Sequence, residues 1–219
     1  MIISSKLTDD ELISKIHLAA QEYGDLIGKS FLIIGKNKKS PYFWFECCFE
    51  KKHFMHLLGI KSKTMSADQF YDKCMDYNNG VGTGIKIEDC TPSRNHSRTT
   101  INEKSSCCGE MFHLEDAKYM KIGLKDKISL YVDFTYAYGS DAILGFQKDD
   151  MESSFPVTLI PRSIDAFSTQ KYKIMYVFSK LISEPFFKKL HFKIKDGIFD
   201  ESYSEMPDCL KKKIVYKEM

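Results

Sequence analysis

Ala142-Ile143-Leu144-Gly145-Phe146-Gln147 and Phe155-Pro156-Val157-Thr158-Leu159-Ile160 decide the fold. Both runs are rich in the β-branched and aromatic residues that favour strands. The polar stretch 148–154 between them is too short for the crossover that a parallel connection requires, so the two strands are antiparallel. Working outward, the pattern recurs at Ile128–Phe134, Tyr172–Phe178 and Leu190–Ile194, with turn residues between and no long helix. Upstream, Phe31-Leu32-Ile33-Ile34 and Tyr42-Phe43-Trp44-Phe45-Glu46-Cys47-Cys48-Phe49 are further strands, joined through the polar turn Gly35 to Pro41. The second has an aromatic density that requires cover on both faces or nearly so.

Helices concentrate early. Thr8-Asp9-Asp10-Glu11 is a capping box, followed by Leu12, Ile16, Ala19 and Tyr23 at helical spacing, so residues 1–28 form an N-terminal helix. Ser66-Ala67-Asp68-Gln69 is a second box. Thr100-Ile101-Asn102-Glu103 is a third, predicting a helix to about Cys108, which Gly109 breaks before a short helix at Leu114–Met120. The expected fold is α+β: N-terminal helices packed on a mainly antiparallel β-sheet, in a single domain over 1–219 with 196–219 as an acid-leaning C-terminal tail. Residues 78–99, with Gly80, Gly82, Gly84 and Pro92, form the longest turn-rich stretch, and a loop of that size in a compact domain is usually functional or disordered.

The 219 residues are 43% apolar and 28% charged, enough to bury a core. A net charge of +2 excludes a bulk electrostatic coat for nucleic acid but leaves room for a local basic groove. Among 32 Lys and Arg, only Arg94, Arg98 and Arg162 are arginines, so any role that needs one has few candidates. No apolar run is long enough for a transmembrane helix, and the N-terminus lacks the order of a signal peptide. Seven Cys include the adjacent pairs Cys47-Cys48 and Cys107-Cys108, a spacing that gives no disulfide framework. A reduced, cytoplasmic protein with no membrane partner is the expectation.

Four patterns carry candidate chemistry. Lys51-Lys52-His53-Phe54-Met55-His56 follows the most aromatic strand, and histidine is matched to proton transfer near neutral pH. In a helical turn its two histidines share a side; in a strand they oppose. They could equally be structural residues at the edge of an aromatic core. Arg94-Asn95-His96-Ser97-Arg98-Thr99-Thr100, leading to Lys104, places two arginines and a histidine before a helix N-terminus, an anion-receptive arrangement. Capping alone would explain Thr100, and a solvated helix face would explain Lys104. Cys90, His96, Cys107, Cys108 and His113 lack zinc-knuckle spacing, so no metal site is expected. The stretch from Lys171 to Lys195 holds seven Lys against Glu184. Lys171 and Lys173, alternating with Tyr172 and Ile174, suit RNA or single-stranded DNA, or else protect a strand edge. Phosphate-loop, dinucleotide, metalloprotease and nucleophile-elbow motifs are absent.

Several of these phrases, in order, resemble a known family. They are Phe45-Glu46, His53-Phe54-Met55-His56-Leu57-Leu58-Gly59-Ile60, Ser66-Ala67-Asp68-Gln69-Phe70-Tyr71-Asp72-Lys73-Cys74, Thr100 with Lys104, Ala142–Phe146 and Phe155–Pro161. The chain over about 40–195 is similar to the fourth of the phage-associated nuclease-like families grouped under the Barnase–EndoU–colicin–RelE fold. The resemblance implies a metal-independent ribonuclease without cofactor, of the kind carried by phages and mobile elements as toxins or effectors. On it, His56 is the proton-transfer residue, with His53 its substitute. Lys104 and Arg162 stabilise the phosphorane charge, and Thr100 orients a phosphate oxygen. His53, Arg98, Lys171 and Lys173 are expected to bind substrate. RNA is the expected partner, with an inhibitor or host protein besides. The alternative is a catalytically inactive binding or inhibitor module on the same scaffold, engaging RNA or a host protein.

Overall fold

The computed structural model describes residues 7–38, 42–94, 96–114, 120–124, 134–138, 142–148, 153–163, 171–194 and 199–216. Helix α1 spans Asp9–Gly24, and its capping box forms as the sequence predicts: Glu11 N–H donates to the Thr8 hydroxyl, and Thr8 N–H to the Glu11 carboxylate at 2.8 Å. Its buried face is Leu12, Ile16, His17, Ala19, Ala20 and Tyr23. Helix α3 (Ala67–Asn78) is capped in the same way by Ser66 and Gln69. Between them, Lys51–Leu57 is helical and forms α2, so His53 and His56 lie one turn apart. The Tyr23 hydroxyl donates to the Glu50 carbonyl at 2.9 Å, at the N-cap of α2, and its ring packs on Phe49 and Phe54. One residue of α1 thereby fixes where α2 begins.

Helix α4 spans Arg98–Phe112 and corrects two expectations. Its N-cap is Ser97, and Thr100 is the N3 partner of that box rather than the cap. Gly109 does not break the helix: the Glu22 carboxylate of α1 lies against it, where any Cβ would collide. The gap left by the missing side chain lets α1 and α4 approach closely. The predicted helix at Leu114–Met120 lies mostly outside the described residues, and Met120 itself opens a strand.

The strands among the described residues are β1 (Lys29–Lys36), β2 (Phe43–Cys48), β3 (Ile60–Lys61), β4 (Thr91–Pro92), β5 (Met120–Leu124), β6 (Phe134–Tyr138), β7 (Ala142–Lys148), β8 (Ser153–Ile160), β9 (Lys171–Leu181) and β10 (Lys189–Lys193). The main sheet runs β1-β2-β8-β7-β6-β5-β9-β10, and β1 also pairs with β9, so the sheet closes on itself. Every pairing is antiparallel except β2 with β8. The β7–β8 pair, from which the fold was read, is antiparallel with a register shift at Gly145/Phe146. Closure depends on Gly35, which sits at the β1–β9 register shift. A Cβ there would meet Ile122 and Tyr172, both at 2.9 Å, and Phe43 and Tyr172 pack together with ring centroids 5.2 Å apart. Of the predicted strand Ile128–Phe134, only Phe134 is described, as the first residue of β6.

Both faces of the aromatic β2 are covered, as its composition requires. Phe45 and Cys47 join Phe31, Ile33, Leu144, Phe146 and the helices in one core. Tyr42 and Trp44 face a second core with Leu32, Ile34, Tyr176, Phe178 and Phe187. The C-terminal residues are not a solvated tail: α5 (Phe199–Glu205) and α6 (Asp208–Lys211) bury Met206, Leu210 and Ile214 in that second core. No helix among the described residues is long and apolar enough to cross a membrane.

Candidate active site

Two short strands build the site. β3 and β4 pair antiparallel, Ile60 with Pro92 and Lys61 with Thr91, and Ser93 N–H extends the ladder to the Gly59 carbonyl at 2.9 Å. This brings the loop before α4 onto the C-terminal end of α2. Gly59 is the junction. Its φ of 72° lies in the left-handed region that glycine adopts without strain, and its N–H donates to the His56 carbonyl at 2.9 Å. The His96 ring rests against it, so that a Cβ would fall 2.8 Å from Cδ2. The His96 ring thus packs against a glycine whose N–H is bonded to the backbone of His56, forty residues earlier in the chain.

Lys104 completes the cluster. Ser97, Thr100 and Lys104 share a side of α4 by helical spacing, and side chains on a helix lean toward its N-terminus, where His96 lies. Lys104 is only 4% exposed, and no hydrogen bond or ion pair reaches its ammonium among the described residues. Burial lowers its pKa to about 8, opposed weakly by Cys107. His96 also titrates below the usual histidine range, first through burial and then through repulsion by Lys104 and His56, partly offset by its bond to the Arg94 carbonyl. The groups that repel it come from two different helices, so the three side chains form one cluster across this surface. His56 is exposed, at the open side of this surface.

The remaining expected residues are distributed as follows. The His53 ring stacks on Phe155 of β8 at 5.3 Å, its Nδ1 is buried without a partner among the described residues, and burial lowers its pKa. Thr100 is engaged in the cap, its hydroxyl 3.1 Å from that of Ser97. Arg98 is turned to α1, where it pairs with Asp9 at 2.6 Å. Arg162 is exposed beyond the end of β8. The rise from Phe155 to Ile160 alone is about 16 Å, so the strand separates Arg162 from the contact of His53. Lys171 and Lys173 alternate with Tyr172 and Ile174, which point into the helix-side core. The two lysines therefore face the opposite side of the sheet from His56, His96 and Lys104, and the structure does not bring them to one phosphate with that cluster.

Sequence reasoning noticed His96 within an anion-receptive loop but gave it no role, and it passed over Ser93. The Ser93 hydroxyl lies 3.0 Å from His96 Nδ1, and the Arg94 carbonyl 3.3 Å from the same nitrogen. Arg94 itself is exposed and is the arginine nearest His96 in the chain. The signal for His96 was its company in sequence; what brings it to His56 is the β3–β4 pairing, which has no periodicity to detect.

Within the cluster His56 is exposed, His96 half-buried and Lys104 buried. A cleft of about 500 Å³ lined by Tyr42, Trp44, Glu46, Lys148 and Lys213 shares none of its residues. Among the described residues, no three His, Cys, Asp or Glu side chains are grouped so as to hold a metal ion. A family model described as phage-Barnase-EndoU-ColicinE5/D-RelE like nuclease4 matches residues 15–196. No curated protein and no solved structure matches the chain.

Proposed function

The chain belongs to this phage-associated nuclease-like family, and from that premise we propose that it is a metal-independent endoribonuclease, cleaving RNA by attack of a 2′-hydroxyl on the adjacent phosphate. The observation that carries the reading is Lys104, a side chain only 4% exposed and without a counter-ion among the described residues, whose charge is felt at His96 together with that of its neighbour His56 on α2. A buried lone cation costs stability, and an incoming anion removes that cost. A phosphodiester supplies one negative charge in the ground state and a second as the phosphorane forms. A preorganised ammonium stabilises the second more than the first, which is what accelerates the step. His56 transfers the proton. Arg94, on the loop that carries His96, holds a neighbouring phosphate. These groups supply the charge and proton transfer that the reaction requires, so no cofactor enters the mechanism.

The test is total RNA incubated with the protein in excess EDTA, with DNA of matched sequence alongside. Cleavage of RNA alone is expected, lost in His56→Ala and Lys104→Met proteins whose circular dichroism is unchanged. RNA left intact by the wild-type protein, or cut equally by both variants, refutes the assignment. RNA bound but uncut would favour a binding module on the same scaffold.

A further inference from the structure

We propose that the turn between β9 and β10 is a peripheral docking surface for an anionic lipid bilayer. Leu181, Ile182 and Phe186 enter the headgroup region, and the lysines beside them meet its negative charge. The turn uses none of the residues of the histidine–lysine cluster, and its role does not depend on the ribonuclease reading. It is a surface contact, whereas what the sequence excludes is a helix that spans the membrane.

Three observations meet at this turn. Soluble proteins seldom gather large exposed apolar side chains in one place without a use for them. Leu181, Ile182, Phe186 and Val215 are between 40% and 57% exposed. Leu181 closes β9, and Ile182 and Phe186 lie in the turn itself. The Phe187–Ile214 bridge, with Val215 N–H donating to the Phe187 carbonyl at 2.9 Å, brings Val215 beside them. Phe187 is buried in the second core and anchors the turn. The backbone is the second observation, because a polar group that enters an apolar medium must already be bonded. Ile182 N–H donates to the Gly28 carbonyl at 3.1 Å, Glu184 N–H to the Leu181 carbonyl at 2.9 Å and Phe187 N–H to the Lys213 carbonyl at 2.9 Å. Residue 185 is a proline, which has no N–H. Charge is the third. Glu184 is the only acid in the sequence from 180 to 189, against Lys180, Lys188 and Lys189. Leu181 N–H and the Lys188 ammonium both donate to its carboxylate, each at 3.2 Å, and these bonds hold its pKa below the usual range. Lys189 is exposed, and the Lys180 ammonium lies over the Phe187 ring, 4.8 Å from its centroid.

Together these features favour a bilayer over a protein partner. Protein interfaces are depleted of lysine, and leucine and valine seldom carry their affinity. An anionic bilayer accepts the opposite combination. The apolar side chains leave water, the ammonium groups stay at the level of the lipid phosphates, and the flexible lysine stems span the distance between. The contact is reversible, since a few side chains bury far less apolar area than a spanning helix.

The test is sedimentation of the full chain with vesicles of phosphatidylcholine, alone or mixed with phosphatidylglycerol. Binding to the mixed vesicles only is expected, weakening as salt is raised. Ile182→Ser with Phe186→Ser should lower the partition coefficient about tenfold or more, and Lys188→Gln with Lys189→Gln about tenfold. Val81→Ser, at a more exposed apolar residue outside the turn, should leave it unchanged. Phe186→Trp reads the contact directly. Its emission should shift to the blue on mixed vesicles, while that of the wild-type protein, whose one tryptophan is Trp44, should not. No binding to either vesicle, equal binding to both, or an unshifted Phe186→Trp emission overturns the proposal. Binding that depends on the lysine pair but not on the apolar pair would mark a surface for any polyanion, RNA included. A dimer in solution that the apolar pair disperses would mark an interface between copies of the chain. Either result overturns the bilayer as occupant.

Discussion

The two faces of the sheet bury similar aromatic and aliphatic side chains but treat their polar groups differently. On the face covered by α5 and α6, Leu32, Ile34, Phe178, Phe187, Leu210 and Ile214 fill the core, and charges at its margin pair off: Lys36 with Glu205 at 2.7 Å and Lys213 with Glu46 at 2.5 Å. In the helix layer on the other face, the His53 Nδ1, the Asn102 carbonyl oxygen and the Ser105 hydroxyl are buried with no hydrogen-bond partner among the described residues, and the Lys104 side chain is 4% exposed with no counter-ion. Buried polar groups are normally satisfied, and departures concentrate where a ligand is to complete them.

The sharpest way to break that contrast is Lys104→Met. Cleavage is expected to fall by at least about 10³-fold while the protein becomes more stable, by up to roughly 3 kcal/mol, the free-energy equivalent of a pKa lowered from 10.5 to about 8. The pH dependence follows in sign. Below pH 8 the lysine is charged in both folded and unfolded chains, so its cost is fully present. Between pH 8 and 10.5 the unfolded chain holds the proton that the folded one has released, and stability rises with pH on this account. Urea unfolding of wild type and variant at pH 7 and pH 10 should show the gap shrinking; a variant less stable at pH 7 would end the comparison.

Leu210→Ala probes the other face. It should cost about 2–5 kcal/mol and leave turnover per folded molecule unchanged, as denaturant melts and single-site RNA kinetics would show. Gly109→Ala is a subtler test within the helix layer. Helix propensity alone predicts a gain of up to about 1 kcal/mol, but the Glu22 carboxylate occupies the space. A net loss of about 1–2 kcal/mol is therefore expected. The smallest effect should come from Lys171→Ala with Lys173→Ala. These residues face away from the cluster and act through solvent and salt, so cleavage at physiological ionic strength should change about twofold at most.

What could be read from the sequence was whatever is encoded locally. The Thr8 and Ser66 boxes specify α1 and α3 within four residues each, and the short polar sequence between β7 and β8 forces their pairing. The Thr100 motif, with glutamate at its end, pointed to the wrong cap, and Ser97 takes that place in the structure. The structure prefers the earlier start, which gives α4 another turn. Gly109 misled for a related reason, because its place in a helix is justified by a carboxylate on α1, a tertiary fact. His56 stood out by its neighbours in sequence. The meeting of His56 with His96 depends on two strands of two residues each, and the opposite facing of Lys171 and Lys173 depends on which side the helices cover. Neither leaves a periodic trace.

The double pairing of β1 has a consequence for how the molecule is made. Its second partner, β9, ends at Leu181, which pairs with Lys29 across about 150 residues of intervening chain. Contacts at such separation form late, because the entropy of closing the loop must be met before they contribute. On a translating ribosome, His56, His96 and Lys104 emerge well before the strand that closes the ring. The side chains of the candidate site therefore exist for a time on an incomplete scaffold, and the closed sheet beneath them is completed late in synthesis.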